Sequence, residues 1–292
     1  EIQVRSKGTA EPEQASEGPA MSWRIVRVHE EERALVDDLV VLEEPLEVVL
    51  NQQPIAVLMR MPGQEKELAA GFCVSEGYVR DAREILLIHH CGLGHPAPAA
   101  EETEEAFDSR NRVTVRVATE GMLRSCGDEV VRLIRSGCGA AEATALSETL
   151  PVLSSKLSVQ SSTLLGLSRA MYEGQVTHRE IGGTHAAALF RRDGQAITVA
   201  EDIGRHNAVD KAIGYCLLRG IDLVDKILVT SGRASYEMAA KALRVGIPVV
   251  ASVSAPTALA VQLAENGGLT LIGYLRGRRM NVYTHPERVH DA

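Results

Sequence analysis

Apolar and polar positions alternate along the first half of the chain and settle into a strand and helix rhythm in the second. Residues 46–51 and 54–60 place apolar side chains at every other position, and Asn51-Gln52-Gln53-Pro54 joins them, so the pair is predicted to form a β-hairpin. The period then lengthens. Over residues 65–78 Leu68 and Phe72, with Val79 just beyond, share one side of a predicted helix, and Cys73 beside them reads as a core thiol. Residues 92–110 carry Pro96, Pro98, Glu101, Glu102, Glu104 and Glu105, a mix too polar to bury, and are expected to form a flexible surface loop. Residues 112–118 alternate again as a strand, and residues 130–134 are predicted to make a short apolar helical turn leading into Ser136-Gly137-Cys138-Gly139.

In the second half, residues 184–190 and 195–200 form a predicted strand pair around the turn sequence Arg191-Arg192-Asp193-Gly194. A helix over residues 207–218 lines up Ala208, Val209, Ala212, Ile213, Cys216 and Leu217, which makes Cys216 a core residue as well. Strands at 226–230, 247–252 and 269–274 then alternate with helices at 234–245 and 257–265. Strands joined by helical crossovers run parallel, so their C-terminal ends share one edge, where ligands bind in open α/β sheets. Ser231-Gly232-Arg233, Ser254-Ala255-Pro256-Thr257 and Arg276-Gly277-Arg278-Arg279 follow the three strands and are expected on that edge. The first two are expected to open helices, whose free N–H groups favour an anion, and the third offers three guanidinium forks suited to phosphate.

Size and composition narrow the picture. A chain of 292 residues accommodates one large domain or two closely packed ones. We expect a disordered segment at 1–22, a β-rich part at 23–150 that ends in the Cys138 loop, and an α/β domain at 151–292. Aromatic residues make up only 3%, so the core is expected to consist of Ala, Val, Leu and Ile. The net charge of −8 argues against nucleic acid as a partner and confines any anion site to a local patch. The most apolar stretch, 247–264, is broken by Pro248, Pro256 and Gln262 and does not read as a membrane span. Residues 1–20 have no apolar run of a signal peptide, so a cytoplasmic location is expected.

Five cysteines without a Cys-x-x-Cys pair argue against a disulfide framework and against structural zinc, so no metal is expected. Cys138 stands apart, because Gly137 and Gly139 leave it no neighbouring side chains to hide behind. Nearby Arg132 and Arg135 favour a reactive thiolate, whereas the C-terminal dipole of the expected helical turn opposes one. The local sequence supports a reactive thiol and a spectator equally; Cys126 is a weaker candidate and Cys91 weaker still.

Five segments occur in order within residues 23–288: LAAGFCVSEG at 68–77, GGTHAAAL at 182–189, EDIGRHNAVDKAIG at 201–214, SGRASYEMAAKA at 231–242 and LTLIGYLRGRRMNVYTHPER at 269–288. Together they resemble the formate dehydrogenase accessory sulfurtransferase family, FdhD. The resemblance implies a cytidine-deaminase-like three-layer α/β domain with a smaller β-rich N-terminal domain, assembled as a homodimer. It also implies a sulfurtransferase that relays sulfur from a cysteine desulfurase to bis-molybdopterin guanine dinucleotide, a cargo destined for apo formate dehydrogenase. The family's persulfide cysteine falls on Cys138, and its cofactor-binding segment on Tyr274, Leu275, Arg276, Gly277, Arg278 and Arg279. One departure is plain: many members carry a second cysteine three residues after the first, and here that position is Ala141.

Zinc deamination needs His-x-Glu and Pro-Cys-x-x-Cys, whereas His185 is followed by Ala186 and Ala187 and no Cys-x-x-Cys exists. His185 and His206 are expected near the crevice, as hydrogen-bonded side chains or proton carriers, with Asp202 and Asp210 able to orient them. Two rivals to sulfur relay stay open: a chaperone that delivers the cofactor without sulfur chemistry, and a nucleotide-binding enzyme. The first differs from a relay in whether Cys138 takes up sulfane sulfur.

Overall fold

A computed structural model describes residues 18–30, 32–90, 110–118, 132–134 and 150–291, the backbone alone at 132–134. Strands β1 (Ala20–His29) and β2 (Glu32–Val41) form an antiparallel ribbon fastened by Arg24–Asp37 and Arg27–Asp38 ion pairs. The ribbon starts three residues inside the segment expected to be disordered, because Ala20 pairs with Val41 and is buried.

The expected hairpin is present as β3 (Glu44–Leu50) and β4 (Gln53–Arg60), with Asn51 and Gln52 at φ 45° and 74° in the turn. After α1 (Glu65–Ser75) come β5 (Ile85–His90), β6 (Arg112–Val117) and β7 (Arg132–Ile134), giving a sheet in the order β5-β6-β3-β4-β7. Here the expected helical turn at 130–134 is corrected: Arg132–Ile134 is a strand parallel to β4. A short apolar run fits either element, and the open edge of β4 offers hydrogen bonds that a single helical turn lacks. Leu46, Val48 and Leu50 face α1 at every second position and meet Leu68, Phe72 and Cys73.

The rest of the chain builds a larger sheet. Its elements are β8 (Val159–Gln160), α2 (Ser161–Gly174), α3 (Val176–Glu180), β9 (His185–Phe190), β10 (Ala196–Asp202), α4 (Arg205–Leu218), β11 (Ile227–Thr230), α5 (Tyr236–Arg244), β12 (Val249–Ser252), α6 (Ala258–Gly267), β13 (Thr270–Arg276), β14 (Arg279–Val282) and β15 (Val289–His290). Six strands run in the order β10-β9-β11-β12-β13-β14, and β15 pairs with β8 apart from them. Strands β11, β12 and β13 are parallel, as the crossover helices require, while β9, β10 and β14 are antiparallel. Ala187, Leu189, Leu228, Val250 and Leu271 point to the α4, α5 and α6 side, and Ala186, Ala188, Ile227, Val229 and Ala251 to the α2 side. The result is a three-layer stack in a mixed α/β protein.

Helices α1 and α4 join the two sheets. A Cβ on Gly71 would lie 1.9 Å from the Asp210 carbonyl oxygen, and one on Gly214 would lie 1.8 Å from that of Glu67, so the two backbones touch. Two buried lysines lock the joint. Lys211 Nζ lies 2.8 Å from Asp202 and donates to the Met61 carbonyl at 2.9 Å, while Asn207 donates to the Met59 carbonyl at 2.7 Å. Lys241 Nζ reaches both Asp210 oxygens at 2.8 and 2.9 Å, Ser75 Oγ at 2.9 Å and Glu76 at 2.6 Å. Burial disfavours the Lys241 charge, yet Asp210 and Glu76 outweigh it and lift its pKa above the ordinary amine value. Cys73 and Cys216 are buried near this joint, and burial pushes the Cys216 thiol up to about 11, leaving it inert.

An alanine in a helix normally gains about 1 kcal/mol over glycine. We expect the opposite at the joint: Gly71→Ala and Gly214→Ala should each lose about 3 kcal/mol or more, because backbone rather than a pliable side chain fills the space. Denaturant melts of both variants test this, and an unchanged or raised midpoint would refute the backbone contact.

Candidate functional site

The last long strand carries an irregularity that sets the site. Tyr274 has φ 53°, a conformation bulky residues seldom adopt, and the β13–β14 register shifts between Gly273 and Arg276. The Tyr274 N–H donates to the Ser254 carbonyl at 3.0 Å, which holds the distorted strand against the end of β12. Leu275 is then fully buried, and Arg276 emerges at the sheet edge beside it. Arg276 pairs with Arg279 across a two-residue turn, Gly277-Arg278, with Gly277 at φ 57°. The Arg276 Nε–H donates to the Val253 carbonyl at 2.6 Å, so this guanidinium is anchored by one nitrogen.

Opposite the turn lies a cleft of about 790 Å³. Leu275, Arg276, Gly277 and Arg278 line one end; Thr184, His185 and Ser231 contribute from the ends of β9 and β11; Arg169, Tyr172, Gln175 and His178 come from α2 and the residues after it. Ser231 Oγ accepts the Ala186 N–H at 2.9 Å and sits 3.2 Å from His185 Nδ1. Burial lowers the His185 pKa, helped by the positive charge of Arg205, so the ring is neutral at pH 7. Glu201, at the end of β10, accepts the Thr177 and His178 backbone N–H groups at 2.9 and 2.7 Å and the Thr184 hydroxyl at 2.9 Å. That one carboxylate fixes α3 and therefore His178, whose ring stands edge-on to Tyr172 at 6.4 Å. The guanidiniums of the β13–β14 turn and of Arg169, together with the His185 and His178 rings, suit a ligand with an anionic part and a flat polar part.

With this geometry in hand, the chain compares closely with known proteins. Residues 41–290 match the model of the FdhD/NarQ family. The chain belongs to that family. "Sulfur carrier protein FdhD" of Streptomyces avermitilis is 40% identical over 91% of this chain and 94% of its own, and that of Sulfolobus acidocaldarius is 36% identical over 91% and 97%. A crystal structure from Desulfotalea psychrophila, described as a formate dehydrogenase accessory protein, superposes with a TM-score of 0.73 at 26% identity, covering 93% of this chain and all of that one.

In this FdhD/NarQ chain the residues singled out by sequence are distributed unevenly. Leu275, Arg276, Gly277 and Arg278 line the cleft, and Tyr274 and Arg279 flank that stretch. Cys138, Cys126, Cys91 and Ala141 lie outside the described residues. The α5 helix begins at Tyr236, two residues later than the expected start at 234, whereas Thr257 caps α6 where the helix expected from 257 begins. The expectation that Asp202 and Asp210 orient the histidines is corrected, since Asp202 binds Lys211 and Asn207, and Asp210 binds Lys241 and Ser75. Sequence reasoning missed the α2 wall, although Leu164, Leu167 and Met171 at helical spacing mark a helix that packs under the sheet. Among the described residues no helix is long and apolar enough to cross a membrane.

His206 sits away from this cleft, at the start of α4, and its Nε2 is buried without a partner among the described residues. Burial pushes its pKa down to about 4, assisted by the charges of Lys241 and Arg205 against Glu237 and Glu76. In the unfolded chain the ring takes up a proton near pH 6.5, so acidification from 6.5 towards 4 favours unfolding. Asp210, which burial pushes up to about 6, acts in the opposite sense over the same range, so the contrast with a variant is the useful reading. We expect His206→Asn to lose about 1 to 3 kcal/mol less stability than the parent between pH 7 and 4.5. Parallel pH curves for the two proteins would rule out a neutral buried His206.

Proposed function

We propose that this chain is a sulfur carrier that matures a formate dehydrogenase, taking sulfur as a persulfide on Cys138 and holding the molybdenum cofactor, bis-molybdopterin guanine dinucleotide, in the cleft at the end of β13. The observation that carries this reading is the meeting of the arginine turn, His185 and Ser231 in one cleft. It does so at the C-terminal edge of parallel strands, in a chain whose relatives are named sulfur carriers. The guanidiniums of Arg276 and Arg278 match the phosphates of a guanine dinucleotide, and the cleft volume falls within the range of small-molecule sites. The three-layer body is read as cytidine-deaminase-like, stripped of the His-x-Glu and Cys-x-x-Cys that zinc deamination needs. The working form is proposed to be a cytoplasmic homodimer served by a cysteine desulfurase and delivering to apo formate dehydrogenase.

Loading needs one thiolate. The Cys138 thiolate attacks the outer sulfur of the desulfurase persulfide; the sulfur–sulfur bond breaks, and the desulfurase cysteine leaves as a thiolate with the bonding pair. No external oxidant enters. A second reading, a cofactor chaperone without sulfur chemistry, draws on Ala141 standing where a second cysteine is common, and it differs in requiring no sulfur uptake.

Incubation with a cysteine desulfurase and cysteine should add one sulfur atom, removable by reductant, to the peptide bearing Cys138. Cys138→Ala should abolish support of formate dehydrogenase activity while the protein stays folded. Mass spectrometry and an activation assay read both, and full activity in Cys138→Ala would sink the relay in favour of the chaperone.

The cleft assignment has its own test. Changing Arg276, Arg278 and Arg279 together to Ala should weaken GDP, a stand-in for half of the cofactor, by roughly tenfold or more, while persulfide loading survives. Titration calorimetry measures the first and mass spectrometry the second. A triple variant that binds GDP as well as the parent does would place the ligand elsewhere.

A further inference from the structure

The end of the cleft remote from the arginine turn carries information that the phosphate reading does not use. His178 lines the cleft, and its Nδ1 is shut off from solvent with no hydrogen-bond partner among the described residues. The ring's accessible polar atom is therefore Nε2. A buried N–H without an acceptor is rarer than a buried lone pair without a donor, so the tautomer with its lone pair on Nδ1 and its proton on Nε2 fits this environment. His178 is thus a hydrogen-bond donor facing the cleft. Its position is fixed from behind, since Glu201 accepts its backbone N–H at 2.7 Å and that of Thr177 at 2.9 Å. The Tyr172 ring stands edge-on beside it, and Met171 and Leu165 add apolar wall, so this end accepts the flat face and one acceptor edge of a heterocycle.

A single fixed donor separates purines by what they carry at position 6. A 6-oxopurine presents acceptors at O6 and N7, whereas a 6-aminopurine presents a donor beside N7, which an N–H opposite it repels. We propose that His178 is the residue that selects a 6-oxopurine nucleotide over its 6-amino counterpart in this cleft, with the base against His178 and Tyr172 and the diphosphate at Arg276 and Arg278. The inference rests on the cleft being the nucleotide site of the proposed function, and it adds the direction in which the nucleotide lies and the group that reads its base.

Titration calorimetry with GDP, IDP, ADP and inorganic pyrophosphate separates the two ideas. The parent should bind GDP and IDP about tenfold or more tighter than ADP, because IDP keeps the 6-oxo group and loses only the 2-amino group. His178→Phe should bring GDP and IDP down to the level of ADP while leaving pyrophosphate unchanged, and His178→Gln, which retains an N–H donor, should recover part of the preference. A variant that merely damaged the fold would weaken pyrophosphate as well. Arg276→Ala should weaken all four probes together. If the parent binds GDP and ADP alike, or His178→Phe keeps the parent's GDP to ADP ratio, the role of His178 is overturned and the cleft assignment stands. If the parent binds neither GDP nor pyrophosphate, both fail.

Discussion

The architecture depends on one contact, the crossing of α1 and α4 at Gly71 and Gly214, where each helix lies against a carbonyl of the other. Helices normally pack through side chains 8 to 10 Å apart at their axes, and only a missing Cβ on both sides permits a closer approach. Because α1 belongs to the smaller sheet and α4 to the larger, this crossing fixes the two sheets relative to each other. Around it the chain buries Lys211 and Lys241, each surrounded by acceptors from both halves. Buried charges of this kind contribute little net stability over an apolar core, but losing one partner costs about 3 to 5 kcal/mol, so they define a single docking geometry.

That geometry reaches the cleft through β10 and the segment after it. Asp202 and Asn207 spend their hydrogen bonds on Lys211 and the end of β4, while the adjacent Glu201 turns the other way and holds Thr177, His178 and Thr184. Neighbouring carboxylates thus serve the joint and the site. Across the cleft, the distorted β13 places a buried Leu275 next to an exposed Arg276, and the Val253 carbonyl steadies the arginine. A regular strand would send consecutive side chains to opposite faces, so the positive φ at Tyr274 is part of how the edge is shaped.

Much of this was legible in the sequence. Periodicity of two and of 3.6 identified the β3–β4 hairpin, α1, the β9–β10 pair and the alternating strands and helices from β11 to β13, because each buries a continuous apolar face. The right-handed crossover rule then puts the arginine turn at the C-terminal edge of the parallel strands. The ribbon β1–β2 escaped notice because both of its faces mix charged and apolar residues, leaving no clean period to read. Strand β7 was misread because three residues carry no period at all; their hydrogen bonds to β4 decide the matter.

Local pattern determined which segments are strands and helices, which thiols are core, and that the basic turn lies where a parallel sheet binds ligands, since these follow from spacing and chirality along a short stretch of chain. Tertiary structure alone decided the partners of the acidic residues. Asp202 and Asp210 each stand four residues from His206 in sequence, a spacing that suggests orientation of a histidine, yet each faces a lysine brought there by packing. It likewise decided that His178 and Tyr172, more than ninety residues before Arg276, form the far wall of its cleft. Such pairings depend on where whole layers come to rest, and no spacing along the chain records that.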